Sequence, residues 1–215
     1  ADTILTRPDN IMDAGWFAGS QLNYAAHLLR HDGEEPAVIF VGEDGTRREL
    51  SRDELRAQVA AVAAGLRDAG VSKGDRVGGF LPNCPEAVIA MLATTSLGAI
   101  WSSCSPDFGV NGVVDRFGQI EPKVLFAVNG YFYNGNPCDT RPTIEGVVSA
   151  VGSIEKTVVI PFVADLGADM TLTGAIDWQD FAVAGQPLSF TTVDFNHPLY
   201  IMYSSGTTGA PKCIV

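Results

Sequence analysis

Residues Arg76–Ser103 read RVGGFLPNCPEAVIAMLATTSLGAIWSS, and this stretch decides the fold. Arg76–Leu81 is a short apolar run and reads as a strand. Pro85 and Glu86 then open a helix, since Pro suits the first helical turn and an acidic side chain suits its positive end. The helix stays apolar to Leu97 and stops at Gly98. Ala99–Ser103 follows as a second strand. A strand, an apolar helix and another strand with no tight hairpin turn form a parallel crossover unit.

The same alternation continues on both sides. Upstream, Ala37–Val41 is a strand, Gly42–Gly45 a turn, and a polar segment follows to Leu50. Ser51 and Glu54 have the spacing of a capping box. Leu55, Val59, Val62, Leu66 and Ala69 mark one face of the helix it opens, and Gly70 ends it. Downstream come a loop at Ser105–Gly109, a helix from about Gly112 to Ile120, and a strand at Lys123–Val128. Gly130–Pro142 reads as a loop, Thr143–Ile154 as a short helix and Thr157–Ile160 as a strand. Residues 161–190 hold little pattern beyond a helix near Trp178. The expected fold class is α/β, a mainly parallel sheet covered by helices on both faces. The expected organisation is a lead-in segment over 1–35 and an α/β subdomain over 36–215.

Composition narrows the function. The 215 residues are 46% hydrophobic and 18% charged, as in a soluble globular protein. No apolar stretch approaches the roughly 20 residues of a membrane span, and Ala1–Pro8 lacks the apolar core of a signal peptide. The formal net charge of −11 argues against nucleic acid, which needs clustered Lys and Arg. The cysteines at 84, 104, 138 and 213 show no C-x-x-C spacing, and His27, His31 and His197 form no ligand cluster. No metal ligands are expected from them, nor a disulfide scaffold; free thiols in a reducing cytoplasm are expected instead.

Pro198–Tyr203 reads as a buried strand, and the chain then changes to Ser204-Ser-Gly-Thr-Thr-Gly209-Ala-Pro-Lys212. This segment offers hydroxyls, a run of backbone N–H groups and a lysine. Gly206 and Gly209 permit positive φ and close backbone approach. It is not a Walker loop, because Pro211 precedes the lysine and Cys213 follows it. Read from residues alone, a polar turn between strands stays open. Cys213 has no identifiable histidine partner and is not read as a nucleophile.

The ten residues Tyr203–Lys212 resemble the phosphate loop of the adenylate-forming superfamily, which includes acyl-CoA synthetases, luciferases and nonribosomal-peptide adenylation domains. The resemblance implies that Ser204, Ser205, Gly206, Thr207, Thr208, Gly209 and Lys212 grip the β- and γ-phosphates of ATP. It implies that Lys212 and Thr208 act in catalysis. Trp16–Ala25 is similar to the W-F-x-G-x-x-L-N motif of short-chain acyl-CoA synthetases; as structure it reads as a docked lead-in with Trp16 and Leu22 in the core. Gly98–Gly109, Arg116–Lys123, Tyr133–Gly135 and Pro211–Cys213 are closer to the acetoacetyl-CoA synthetase branch than to the acetyl-CoA synthetase branch. In related synthetases the segment equivalent to Trp101–Cys104 lies near the coenzyme A tunnel; as structure it is a packed strand end. Asn129–Asn136 is neutral where acetyl-CoA synthetases carry arginines, so coenzyme A contacts stay unassigned.

The implied activity is ATP-dependent acid–CoA ligation of a short-chain carboxylate, acetoacetate favoured, with ATP, Mg2+ and coenzyme A. Acetate or propionate as substrate, or a non-catalytic nucleotide- or partner-binding module, are the alternatives. Because a −11 chain repels a polyanion, a strict magnesium requirement is expected. The resemblance also implies that adenine-, ribose- and magnesium-binding residues, most of the acyl pocket and a mobile C-terminal domain lie beyond Val215. The expected partners are therefore these small molecules and the rest of a parent chain, in the cytoplasm.

Overall fold

The computed structural model describes residues 1–7, 9–10, 13–166, 174–204, 209 and 211–215. The lead-in is built from short pieces: β1 (Thr3–Thr6) pairs antiparallel with β2 (Gly15–Ala18), and β3 (Gln21–Leu22) precedes α1 (Tyr24–Leu28). A hairpin of β4 (Pro36–Val41) and β5 (Arg47–Ser51) leads into α2 (Arg52–Asp68). Then come β6 (Arg76–Phe80), α3 (Pro85–Ser96), β7 (Ile100–Cys104), α4 (Val110–Ile120) and β8 (Val124–Val128). A second hairpin, β9 (Gly130–Tyr133) with β10 (Asn136–Asp139), is followed by α5 (Arg141–Ala150) and β11 (Lys156–Ile160). The chain continues through β12 (Ala175–Asp177), α6 (Trp178–Phe181) and β13 (Val193–Asp194) to a last hairpin, β14 (Met202–Ser204) with β15 (Lys212–Ile214).

The central sheet is parallel, in the order β12-β11-β8-β6-β7. Numbered along the chain that order is 2-1-3-4-5, so the first two strands run outward one way and the rest the other. Parallel neighbours need crossovers, and α3, α4 and α5 supply them. All five side chains of β8 are wholly buried. Val124, Phe126 and Val128 pack with Val59, Leu66 and Ile89 of α2 and α3, while Leu125 and Ala127 pack with Phe117 and Ile144 of α4 and α5. Period-two alternation thus puts apolar side chains on both faces, each worth about 1.5–3 kcal/mol for a large one.

Local chemistry follows the expected punctuation. The Ser51 hydroxyl accepts from the Glu54 N–H, and the Glu54 carboxylate accepts from the Ser51 N–H at 2.8 Å. Gly79 is required by packing: a Cβ there would stand 2.6 Å from the Trp101 ring. Among the described residues no helix is long and apolar enough to cross a membrane.

Four readings need correction. Residues 47–51 are not merely polar connection but strand β5, paired in register with β4. Gly130–Pro142 is a hairpin, turned by Asn134 (φ 49°) and Gly135 (φ 74°), the pair that tolerates positive φ at both turn positions. Pro198–Tyr203 is not one buried strand. Leu199 and Ile201 bond to Trp101 of β7 along the sheet edge, Ile201 is buried, and Met202 is 59% exposed. Trp16 and Leu22 do not enter the core; they are 44% and 40% exposed. The lead-in docks instead through Ala25 and Leu29, which join the main core, and through Asn23, which is buried and caps α1 by accepting from the Ala26 N–H at 3.0 Å. Its amide nitrogen donates to the carbonyls of Thr95 (2.9 Å), Ser96 (3.1 Å) and Thr191 (2.8 Å).

Candidate functional site

The parallel strands end on one side of the sheet, where crossover loops converge and ligands of such folds bind. Residues 199–201 run beside β7 toward that side, Trp101 bridging Tyr200 in parallel. β14 carries the chain past the sheet end and β15 brings it back. The register sets Met202 opposite Ile214, Tyr203 opposite Cys213 and Ser204 opposite Lys212. The first and last residues of the expected phosphate loop are therefore cross-strand neighbours at the mouth of a hairpin. Ser204 is half-buried and Lys212 exposed. Gly209 has φ 99°, a conformation that glycine adopts without steric cost. Ser205, Gly206, Thr207 and Thr208 lie outside the described residues.

Next to the hairpin is a cavity of about 540 Å3 between α3, the carboxyl end of β7, α4 and residues 200–203. Its walls are largely apolar, with Val88 and Met91 from α3, Trp101 from β7, and Phe108 before α4. Trp101 and Cys104, at the strand end expected near a coenzyme A tunnel, both line it. Arg116 reaches it from α4, its guanidinium carbon 4.3 Å from the Phe108 ring centroid and 5.6 Å from that of Tyr203. The guanidinium thus lies over two aromatic faces, a cation–π arrangement.

The other polar groups of this wall are neutral at physiological pH. Burial pushes the Cys104 thiol up to about 12, although the charge of Arg116 pulls the other way. Burial also pushes the Tyr203 phenol up to about 12, against a hydrogen bond with Ser102 that favours its ionised form. The Tyr200 hydroxyl is likewise raised, first by burial, and donates to the Met91 sulfur at 3.4 Å. An apolar cavity with an arginine at its edge and a lysine on the adjoining hairpin suits a ligand with an anionic end and an uncharged body.

In Asn129–Asn136, the first residue has a structural role. The buried Asn129 side chain donates to the Val163 carbonyl at 2.9 Å and accepts from the Val163 N–H at 3.0 Å. It thereby ties the segment after β8 to the segment after β11. Cys213 is exposed, and its thiol donates to the Gln119 side-chain oxygen at 3.6 Å. Among the described residues no group of three or more His, Cys, Asp or Glu side chains could hold a metal ion. Sequence reasoning passed over Arg116 and Gln119 as neighbours of the loop. Both sit on a helix that packs elsewhere, and only tertiary structure brings them to the hairpin.

The AMP-binding enzyme family model matches residues 25–215. The chain is 48% identical over 210 residues to the acetoacetyl-coenzyme A synthetase of Rhizobium meliloti (strain 1021), covering 96% of this chain and 32% of that protein. It is 47% identical over 209 residues to the acetoacetyl-CoA synthetase of Macaca fascicularis, covering 93% and 31%. The solved structure of acetoacetyl-CoA synthetase from Streptomyces lividans superposes with a TM-score of 0.92 at 44% identity, over 98% of this chain and 32% of that one. The chain thus spans about a third of the length of the relatives it matches.

Proposed function

The chain belongs to the AMP-binding enzyme family, and on that premise we propose that it is part of an ATP-dependent acid–CoA ligase whose favoured acid is acetoacetate. The observation that carries this reading is identity of 44–48% to acetoacetyl-CoA synthetases across nearly the whole chain. In the proposed reaction a carboxylate oxygen attacks the α-phosphorus of ATP and pyrophosphate leaves. The coenzyme A thiol then attacks the acyl carbon of the adenylate, forms the thioester and releases AMP.

Two anions meet in the first step, so neutralisation and positioning carry the catalysis. In this proposal Lys212 balances charge on the β- and γ-phosphates and on the departing pyrophosphate. Ser204, Ser205, Thr207 and Thr208 supply hydroxyl donors, and Gly206 and Gly209 let the backbone approach the phosphates. Magnesium enters as part of the MgATP substrate. The apolar cavity beside β7 suits the uncharged arm of a co-substrate.

The test is carboxylate-dependent ATP–pyrophosphate exchange by the full-length gene product, with acetoacetate, acetate and propionate compared. Exchange fastest with acetoacetate is expected. Preference for acetate or propionate would reassign the substrate. No exchange with any acid, despite nucleotide binding, would leave a binding module.

A further inference from the structure

We infer that Gln119 is a positioning residue for Lys212, holding the chain on both sides of that lysine from the face of α4. The inference rests on the reading of the Ser204–Lys212 hairpin as a phosphate site.

The side-chain amide of Gln119 makes three contacts. Its nitrogen donates to the Asp115 carbonyl within α4 and to the Pro211 carbonyl at 2.9 Å. Its oxygen accepts from the Cys213 thiol. Both acceptors facing the nitrogen are carbonyls, which cannot donate, so the amide has one workable orientation. Pro211 and Cys213 flank Lys212 in the chain. The residue on each side of the lysine is therefore tied to one side chain, Pro211 by its backbone carbonyl and Cys213 by its thiol.

The same helix face reaches the other arm of the hairpin. Arg116 lies one turn before Gln119, and residues three apart share a face. Its guanidinium stacks over Tyr203, which is directly opposite Cys213 in the hairpin register. Arg116 also donates to the Gly112 carbonyl at 2.7 Å, fixing the guanidinium against its own helix. The rigid helix thus grips a cross-strand pair from both sides, just below the pair Ser204 and Lys212. A lysine on a flexible stem gains little from its charge unless its backbone is held. Gln119 supplies that restraint on the outgoing arm, where Pro211 has no N–H of its own to add.

The test compares full-length wild-type protein with Gln119→Met, which keeps side-chain length and loses all three contacts, and with Gln119→Glu, which sets an oxygen against the Pro211 carbonyl. MgATP binding by calorimetry, steady-state pyrophosphate exchange and thermal midpoint are measured for each. Both variants are expected to raise KM for MgATP or lower kcat by about 10-fold, the scale of a small misplacement of a catalytic group. The carboxylate KM and the thermal midpoint are expected to stay at wild-type values. In a Lys212→Ala background, Gln119→Met is expected to cost less than about 2-fold more, because it acts through the lysine. Wild-type protein that binds no MgATP would overturn the phosphate reading, and this inference with it. Wild-type binding with both variants behaving as wild type, or full additivity with Lys212→Ala, would overturn the inference alone.

Discussion

Ser102 and Tyr203 share a hydrogen bond of 3.1 Å between their hydroxyls across the edge of the central sheet. Ser102 is buried, and its single hydroxyl hydrogen is shared with the Ile201 carbonyl at 2.8 Å. One side chain of β7 thus sets both the backbone beside it and the ring that precedes the hairpin mouth. Ser102→Ala removes both bonds and is expected to cost about 1–2 kcal/mol; Tyr203→Phe removes one and is expected to cost about 1 kcal/mol or less. Urea denaturation checks the order of the two. A Tyr203→Phe variant less stable than Ser102→Ala would show that the phenol, not the serine, organises this edge.

Asn23 supplies the polar part of the docking of the lead-in, so its chemistry is more sensitive than its size. Its nitrogen faces three carbonyls in a buried setting. Asn23→Asp is nearly isosteric but turns an oxygen toward all three, and also buries a charge. We expect it to destabilise by about 3 kcal/mol or more, against about 1–3 kcal/mol for Asn23→Ala, which leaves the acceptors unmet without repelling them. Trp16→Ala, at an exposed position, is expected to change stability by less than about 1 kcal/mol. Thermal midpoints of the three variants decide the matter, and a Trp16→Ala loss equal to that of Asn23→Asp would restore the apolar anchor.

These two sites show what the chain disclosed and what it hid. Val124–Val128 was legible as a doubly covered parallel strand because five apolar residues in a row leave no face for water. The Ser51–Glu54 box was legible because its partners are three residues apart. Asn23 was not, since its acceptors lie 72, 73 and 168 residues away and no local pattern records them. Trp16 and Leu22 misled because apolarity predicts burial on average, whereas this segment is held by Asn23 and by the apolar Ala25 and Leu29 further along it. The hairpin around Asn134-Gly135 carried its turn signal, but Pro137 and the polar Asn136 and Asp139 obscured the strand beside it. At the candidate site, Ser204–Lys212 stood out as a contiguous motif. Gln119 did not, because it reaches Pro211 across 92 positions.

The four cysteines divide by burial. Cys84 and Cys104 are buried, Cys138 is intermediate and Cys213 is exposed. Burial, with the Glu86 carboxylate beside Cys84, pushes the Cys84 thiol up to about 12, as burial does for Cys104. The thiolate is the reactive form, so at pH 8 iodoacetamide is expected to label Cys213 and to spare Cys84 and Cys104 until the protein unfolds. The linked stability has a definite sign. A thiol raised from 9.0 in the unfolded chain to about 12 when folded stabilises fully below pH 9 and loses that contribution as pH rises toward 12. The denaturation midpoint is therefore expected to fall across that alkaline window, and the fall to shrink in a Cys84→Ala/Cys104→Ala variant. Peptide mapping that finds Cys104 labelled as fast as Cys213 in native protein would contradict the buried placement.

Lys212 stands opposite Ser204 at the mouth of the hairpin, on a chain whose net charge is −11. In such a field a polyanion must be met by local positive charge, or binding falls off with decreasing ionic strength rather than increasing. Lys212→Ala is expected to slow pyrophosphate exchange by about one to three orders of magnitude in the full-length protein, the scale of losing one stabiliser of transition-state charge. Lys212→Arg keeps the charge but trades a compact ammonium for a broad planar fork, so partial rather than full recovery is expected. The two variants separate charge from shape. Equal losses in both would mean that ammonium geometry matters at this position, and full activity in Lys212→Ala would remove the lysine from the chemistry altogether.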